Sequence, residues 1–296
     1  MINGPHPYIP KEWETVSCPF CGSPDFDQFE RFGSALQYTY VQCNHCSLVY
    51  SSPRPKYDAD FIEAAYGQYY QFDDNLQLNE NTQVPQSSVD LFTKELQNIT
   101  QYDKSKSAVL DIGSGMGTFL YSAMKYYSTL VGLDMSVQMG DWVKKTLGID
   151  IIPIQFENYT TSQKFSLIHM SHVIEHIPNP NEWLEKAKSL LTEDGILVIN
   201  VPNKYSLAAR FQNLLVDLKI KRQVSKAWAH DPSRTPDHLV EPNTKSVLML
   251  LERHQFKVID YFSYSRKDPA SNQSLFSRLY NRYFHLGSNL SFICKK

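Results

Sequence analysis

The stretch Val109-Leu110-Asp111-Ile112-Gly113-Ser114-Gly115-Met116-Gly117-Thr118-Phe119 constrains this chain more than any other. A short apolar run leads into a glycine turn and then into the start of a helix. Such a turn aims backbone N–H groups at the carboxyl end of a strand, beside the positive end of a helix dipole. Gly113 and Gly115 permit a tight turn and let a ligand lie against bare backbone. Glycines are common in ordinary strand-to-helix turns, so two further features matter. Asp111 occupies one of the last apolar positions of the run, where an unpaired carboxylate is costly. Leu130-Val131-Gly132-Leu133-Asp134 follows as a second apolar run ending in an acid. Together they predict a nucleotide-type cofactor site.

Around this turn, strand and helix patterns alternate. Strands are expected at 108–112, 130–133, 151–154, 165–170 and 195–201. Helices are expected at about 87–100, 118–127, 137–147 and 181–191, the first of them capped by Ser87 or Ser88. Short apolar strands between helices imply a parallel sheet covered on both faces. Ligands of such sheets lie beyond the carboxyl ends of the strands, where this chain carries Asp111, Asp134, Gln155, Ser171 and Asn200 to Asn203. Asn243-Thr244 opens a further helix, and 256–262 and 290–294 read as two final strands.

The N-terminal part follows a different rule. Cys18-Pro19-Phe20-Cys21-Gly22 is followed by Cys43-Asn44-His45-Cys46, with 21 residues between Cys21 and Cys43. Two thiols on one tight turn point the same way, and two such turns complete a tetrahedral zinc site. Between them 26–32 and 38–43 alternate as strands. A ribbon this small has little core, so metal would supply much of its stability. Four ligands leave no open position, and the zinc is read as structural. No export signal is recognisable in 1–13 and no apolar run approaches a membrane span; Cys-x-x-Cys pairs in such a chain suggest metal rather than disulfides. Cytoplasmic residence is the resulting expectation. The formal net charge of −2 gives no general support for binding nucleic acid, and the acids of the ribbon outnumber its bases.

Two segments stand between or beyond these units. Ser51-Ser52-Pro53-Arg54-Pro55 reads as a stiff linker, leading to an aromatic series at Tyr57, Phe61, Tyr66, Tyr69, Tyr70 and Phe72. The organisation expected is 1–55, a zinc ribbon; 56–104, an aromatic linker and helices; and 105–296, the cofactor-binding domain with a helical insertion at about 204–243. Within that insertion 205–226 is amphipathic and basic, a pattern suited to a solvated helix face, a lid or a peripheral membrane contact.

The glycine spacing decides the cofactor. A dinucleotide fingerprint would carry its third glycine at position 118, where this chain has Thr118. Residues 109–117 instead resemble motif I of class I S-adenosylmethionine (SAM) methyltransferases, and 131–136 resemble the acidic motif that follows it. Phe165-Ser166-Leu167-Ile168 through His172-Val173-Ile174-Glu175-His176-Ile177-Pro178 resembles the fourth-strand motif of the ubiquinone-biosynthesis type, and 195–203 resemble the fifth strand. The ribbon is similar to zinc units attached to some bacterial small-molecule and sugar methyltransferases.

The resemblance implies a seven-stranded Rossmann-like α/β sheet whose last two strands form a hairpin. It implies that Gly113, Ser114, Gly115 and Gly117 border the methionine part of SAM and that Asp111 organises its ammonium. Asp134 would hold the ribose and Met135 would lie against adenine. Gln155, beside Phe156, stands where many members carry an acid for the adenine amino group; an amide oxygen accepts the same hydrogen bond. Ser166 replaces the usual aspartate of the fourth strand, and its role is read as structural. Ser171 closes the list of cofactor-side residues.

Methyl transfer to a hydroxyl or an acidic carbon needs alignment and a base of near-neutral pKa. His172 and His238 are the candidates. His172-x-x-Glu175-His176 also matches the inverted zinc-protease pattern, but that chemistry needs one continuous helix, which Pro178 and Pro180 would interrupt. Glu175 and His176 are therefore read as orienting a loop. The function expected is methylation of a small molecule such as a sugar, lipid or natural-product precursor. The alternatives are an RNA methyltransferase, which would need a basic track, and a SAM-binding protein without turnover.

Overall fold

The computed structural model describes residues 10–32, 38–62, 82–203, 205–206, 238–264, 284 and 287–296. The stretch 207–226, residues Tyr66, Tyr69, Tyr70 and Phe72, and the bulk of the insertion lie outside these. No helix among the described residues is long and apolar enough to cross a membrane.

The N-terminal ribbon contains β1 (Trp13–Glu14), β2 (Phe26–Phe32), β3 (Tyr38–Cys43), β4 (Val49–Ser51) and β5 (Arg54–Pro55). Its two cysteine turns share one geometry. Gly22 N–H donates to the Cys18 carbonyl (2.8 Å) and Ser47 N–H to the Cys43 carbonyl (2.9 Å). Gly22 and Ser47 occupy the same step of the two turns, with φ of 77° and 62°. The segment read as a stiff linker is instead built into the structure. Ser51 and Ser52 are buried, β5 pairs antiparallel with β1, and the Arg54 Nε donates to Glu14 Oε1 at 2.7 Å. Prolines at the ends of two-residue strands cost no ladder bonds, which is why a Pro-rich stretch pairs here.

The larger sheet follows. Helix α1 (Gln86–Ile99) precedes β6 (Ala108–Ile112), α2 (Thr118–Ala123), β7 (Thr129–Asp134), α3 (Val137–Leu147), β8 (Ile151–Pro153), β9 (Phe165–Ser171), α4 (Pro180–Leu190) and β10 (Leu191–Pro202). Near the end of the insertion comes β11 (Val240–Glu241), followed by α5 (Thr244–Arg253), β12 (Lys257–Tyr264) and β13 (Asn289–Lys295). Seven strands stand in the order β12-β13-β10-β9-β6-β7-β8. Six run in one direction, and β13 alone runs antiparallel, between β10 and β12. The expected seven-stranded sheet with an antiparallel terminal pair is thus present.

Strand alternation sorts the core into two layers. Val109, Leu167 and Ile196 stand in register and pack with Leu96, Phe119, Trp142 and Val143 on one face. Their neighbours Leu110, Ile168 and Leu197 pack on the other with Trp183, Leu184, Val247 and Leu250. The same second layer contains Phe20, Leu48 and Tyr50 of the ribbon. Polar ties reinforce that docking: Asn181 Nδ2 donates to the Pro19 carbonyl (2.6 Å) and Asn243 Nδ2 to the Ser47 carbonyl (2.7 Å). The ribbon sheet, in the order β11-β4-β3-β2, takes its edge strand from beyond β10. Two chain segments far apart in sequence therefore share one sheet.

Three boundaries differ from the sequence reading. α1 is preceded by Pro85 as N-cap, without a side-chain cap bond, rather than by Ser87 or Ser88; proline pre-sets the entry backbone. α2 ends at Ala123 rather than 127, so its contribution to a dipole at the glycine turn is small. β10 starts at Leu191, with its register to β9 shifting between Leu191 and Ile196. The Asn243 cap of α5 is as expected, closed by a reciprocal bond with Ser246. Ser166 is structural: its hydroxyl donates to Asp103 Oδ2 at 2.8 Å.

Candidate active site

The glycine turn is held by its own backbone. The N–H groups of Gly113 and Ser114 both donate to the Leu133 carbonyl at 2.9 Å, and the Ser114 hydroxyl donates to the Asp111 carbonyl at 2.8 Å. Asp134, at the end of β7, accepts from Gly115 N–H (2.8 Å) through Oδ2 and from Ser136 N–H (2.9 Å) through Oδ1. Gly113 has φ of 75°, and a Cβ there would stand 2.5 Å from Val173 Cγ2. Gly113→Ala is therefore expected to cost about 1–3 kcal/mol through backbone strain and overpacking, read as a lowered denaturant midpoint; an unchanged midpoint would refute this account of the turn. At Gly115, φ is 48° and a Cβ would meet nothing within 4 Å. This bare backbone faces open space.

That space is a cleft of about 680 Å³, within the size range of small-molecule sites. Asp111, Gly113, Ser114, Gly115, Asp134, Met135, Gln155, Phe156, Ser171 and His172 all line it. Gly117 serves the fold behind it, as the left-handed N-cap of α2. Gln155 Nε2 lies 3.5 Å from Met135 Sδ, so the residues read as flanking an adenine are side by side. Tyr57 of the aromatic series reaches the wall, as does Trp183, whose indole packs edge-on against Phe156.

The floor holds a group that sequence reading passed over. His169 sits in β9 opposite Asp111 of β6 and is 1% exposed. Its Nδ1 is 2.7 Å from Asp111 Oδ1, and its Nε2 is 3.7 Å from Glu95 Oε1. Phe119 stacks on the ring with centroids 3.6 Å apart, and Phe92 meets it edge-on. Burial by itself pushes the imidazole pKa down; the hydrogen bond to Asp111, the Glu95 carboxylate close by and the charges of both reverse this and raise it to about 9. The resulting imidazolium is held between two carboxylates. Asp111, read as the organiser of an ammonium, already has this internal cation as a partner. The signal available in the sequence was a lone titratable residue in an apolar strand.

The two proposed bases are placed differently. His172 follows β9 in the left-handed region (φ 57°) and lines the cleft. Its Nε2 is buried without a hydrogen-bond partner, and its Nδ1 lies 3.3 Å from Glu175 Oε1. His238 is not among the residues lining the cleft. Its ring meets that of His176, which does line the cleft, at 4.8 Å between centroids, and its backbone carbonyl accepts from the Tyr40 hydroxyl at 2.7 Å.

In the ribbon, the Sγ atoms of Cys18 and Cys46 are 3.4 Å apart and those of Cys21 and Cys43 3.5 Å, and all four lie within 4.8 Å of one another. A zinc tetrahedron with bonds of about 2.3 Å has edges of about 3.8 Å, so this donor set fits that ion. Contact with Cys46 holds the Cys18 thiol below its ordinary range, while burial pushes the Cys21 thiol up.

A doubly covered α/β sheet with a glycine cradle at its carboxyl edge and an acid on the next strand defines a nucleotide-cofactor enzyme class. Residues 86–261 match the family described as "Methyltransferase domain". This chain belongs to that family. The ubiquinone biosynthesis O-methyltransferase of Glaesserella parasuis is 32% identical over 111 residues, covering 34% of this chain and 47% of that protein. The (S)-coclaurine N-methyltransferase of Papaver somniferum is 26% identical over 117 residues, covering 37% of this chain and 33% of that protein. The chain thus spans about half the length, or less, of these curated relatives. Among solved structures, a SAM-dependent methyltransferase from Thermotoga maritima aligns over 80% of this chain and 98% of its own, with a TM-score of 0.50 and 16% identity. The plantazolicin methyltransferase in complex with a desmethyl analogue and SAH aligns over 80% and 95%, with a TM-score of 0.50 and 17% identity. At these identities the structures establish the fold.

Proposed function

We propose that this chain is a SAM-dependent methyltransferase acting on a hydroxyl or acidic carbon of a small molecule. The observation that carries this reading is the cleft built by Gly113 to Gly115, Asp134 and Gln155 at the carboxyl edge of the sheet in a member of the methyltransferase family. The residues fit the cofactor: bare backbone at Gly115, acids at 111 and 134, and an apolar wall at Met135 and Phe156. Bound there, SAM supplies an electrophilic methyl group on a sulfonium. The chain's part is to hold the acceptor in line, exclude water and take up the acceptor's proton. His172 Nε2, buried without a partner at the cleft wall, suits the last task. The ubiquinone and coclaurine relatives support a small-molecule acceptor, as does the near-neutral charge of the chain. The four cysteines of the ribbon are proposed to bind structural zinc.

Incubation with methyl-labelled SAM and fractionated cell extract, followed by identification of the labelled product, tests the function. With the acceptor in hand, His172→Ala is expected to lower kcat by about 10²–10⁴-fold while calorimetric affinity for SAM stays within about two-fold. Label appearing only in RNA, or full turnover by the variant, would overturn the respective part.

A further inference from the structure

Glu175 is the group the fold leaves least explained. It is fully buried, and neither carboxylate oxygen has a hydrogen-bond partner. His172 Nδ1, at 3.3 Å from Oε1, lacks hydrogen-bond alignment. A buried carboxylate left in this state costs several kcal/mol unless a cation compensates it. Around it stand three imidazoles, those of His172, His176 and His238. With His172 Nδ1 at 3.3 Å out of alignment and the donor atoms of His176 and His238 within 4.8 Å, its two unpartnered oxygens are placed to accept a cation.

We infer that Glu175, His176 and His238 form a second metal centre, for a divalent transition-metal cation, at the wall of the cofactor cleft. One ligand atom from each lies within 4.8 Å of the others. Bonds of about 2.0–2.2 Å to nitrogen and oxygen at tetrahedral angles place donors of one ion about 3.3–3.6 Å apart, so side-chain shifts of up to about 1.5 Å complete the site. Two imidazoles and one carboxylate suit zinc, iron(II) or a neighbouring divalent ion, and leave coordination positions open. The donors are not on one helix, as the inverted-protease pattern requires. Residues 174–176 form a turn closed by His176 N–H donating to the Val173 carbonyl, and His238 arrives from beyond β10.

The placement of His238 is built rather than incidental. Leu239 and Val240 N–H both donate to the Glu175 carbonyl (2.8 and 3.2 Å), Ser51 N–H donates to the Leu239 carbonyl, and Tyr40 holds the His238 carbonyl. The ribbon thereby fixes one ligand against the other two. His176 lines the cleft, so a cation held by these residues would stand at the cleft wall. As a Lewis acid it would ease loss of the proton from an acceptor hydroxyl, which His172 Nε2 would take up. That role rests on the methyl-transfer reading; the existence of the site does not.

The test is a cobalt titration of protein whose ribbon is already loaded with zinc, followed by absorption spectroscopy. The expected result is uptake of one equivalent with weak visible bands and no near-ultraviolet thiolate charge transfer, which separates this centre from the cysteines. Glu175→Gln and His238→Ala should each weaken that uptake at least ten-fold, and either variant suffices if the other does not fold. No cobalt uptake beyond the ribbon, or uptake unchanged in the folded variants, would overturn the inference and leave protonated histidines as the partners of Glu175. Because no methyl acceptor is used, failure of the metal site and failure of the methyltransferase reading give different results.

Discussion

His169→Gln is expected to destabilise the protein by about 3–5 kcal/mol, the range for removing one partner of a buried ion cluster, and to weaken binding in the cleft above it. The two carboxylates it bridges come from β6 and α1, and their side chains are only 3% and 11% exposed. Glutamine can donate to one of them but carries no charge and cannot replace the stack on Phe119. The same site predicts a pH dependence. The folded-state pKa, about 9, lies above the ordinary histidine value, so the stabilisation is fully present below about pH 6.5 and is lost as pH rises through about 9. Its size is about 3 kcal/mol. Urea unfolding from about pH 6 to pH 10 should show the wild-type midpoint falling across this window and the variant's midpoint falling less. Parallel profiles for the two proteins would refute a charged His169.

Loss of the zinc proposed for the ribbon is expected to reach well beyond the ribbon. Chelation, or Cys46→Ser, would remove a centre whose binding energy is folding energy, about 10–16 kcal/mol for isolated zinc-finger peptides. Within this chain the released segment includes Phe20, Leu48 and Tyr50, which are fully buried in the same layer as Leu184 and Leu250. It also includes β4, which pairs with β11, and Tyr40, which holds His238. Thermal unfolding should therefore shift down by more than about 10 °C, and His238 should lose its place beside His176. Thermal midpoints of zinc-loaded, chelated and Cys46→Ser protein, together with calorimetric SAM affinity, give the readout. An unchanged midpoint in the Cys46→Ser protein would show that the four cysteines hold no structural ion.

Much of the framework was legible because it is written locally. Strand boundaries at 26–32, 38–43 and 108–112 and the helix at 137–147 follow from alternation, helical period and caps, all read within a few residues. The cysteine spacing and the glycine turn are equally local, since each motif constrains its own backbone. The second-strand acid, the fourth-strand motif and the glycines also lie near enough in pattern to be read as one site. His169 escaped because a histidine in an apolar strand has no meaning until the register places it beside Asp111 and α1 carries Glu95 over it. Residues 51–55 misled because prolines signal a linker locally, whereas pairing with β1 is a property of the assembled ribbon.

By itself, then, the amino-acid sequence determined the alternating α/β sheet, the cofactor turn at 113–117 and the four-cysteine ribbon, since these depend on periodicity and spacing along the chain. Tertiary structure alone decided that the ribbon docks on the sheet, that β11 returns to its edge, and that Glu175 and His176 meet His238. The physical reason is separation: Tyr40 and His238 are 198 residues apart, and the closing of such a loop is driven by apolar burial summed over the whole core, which no local pattern records.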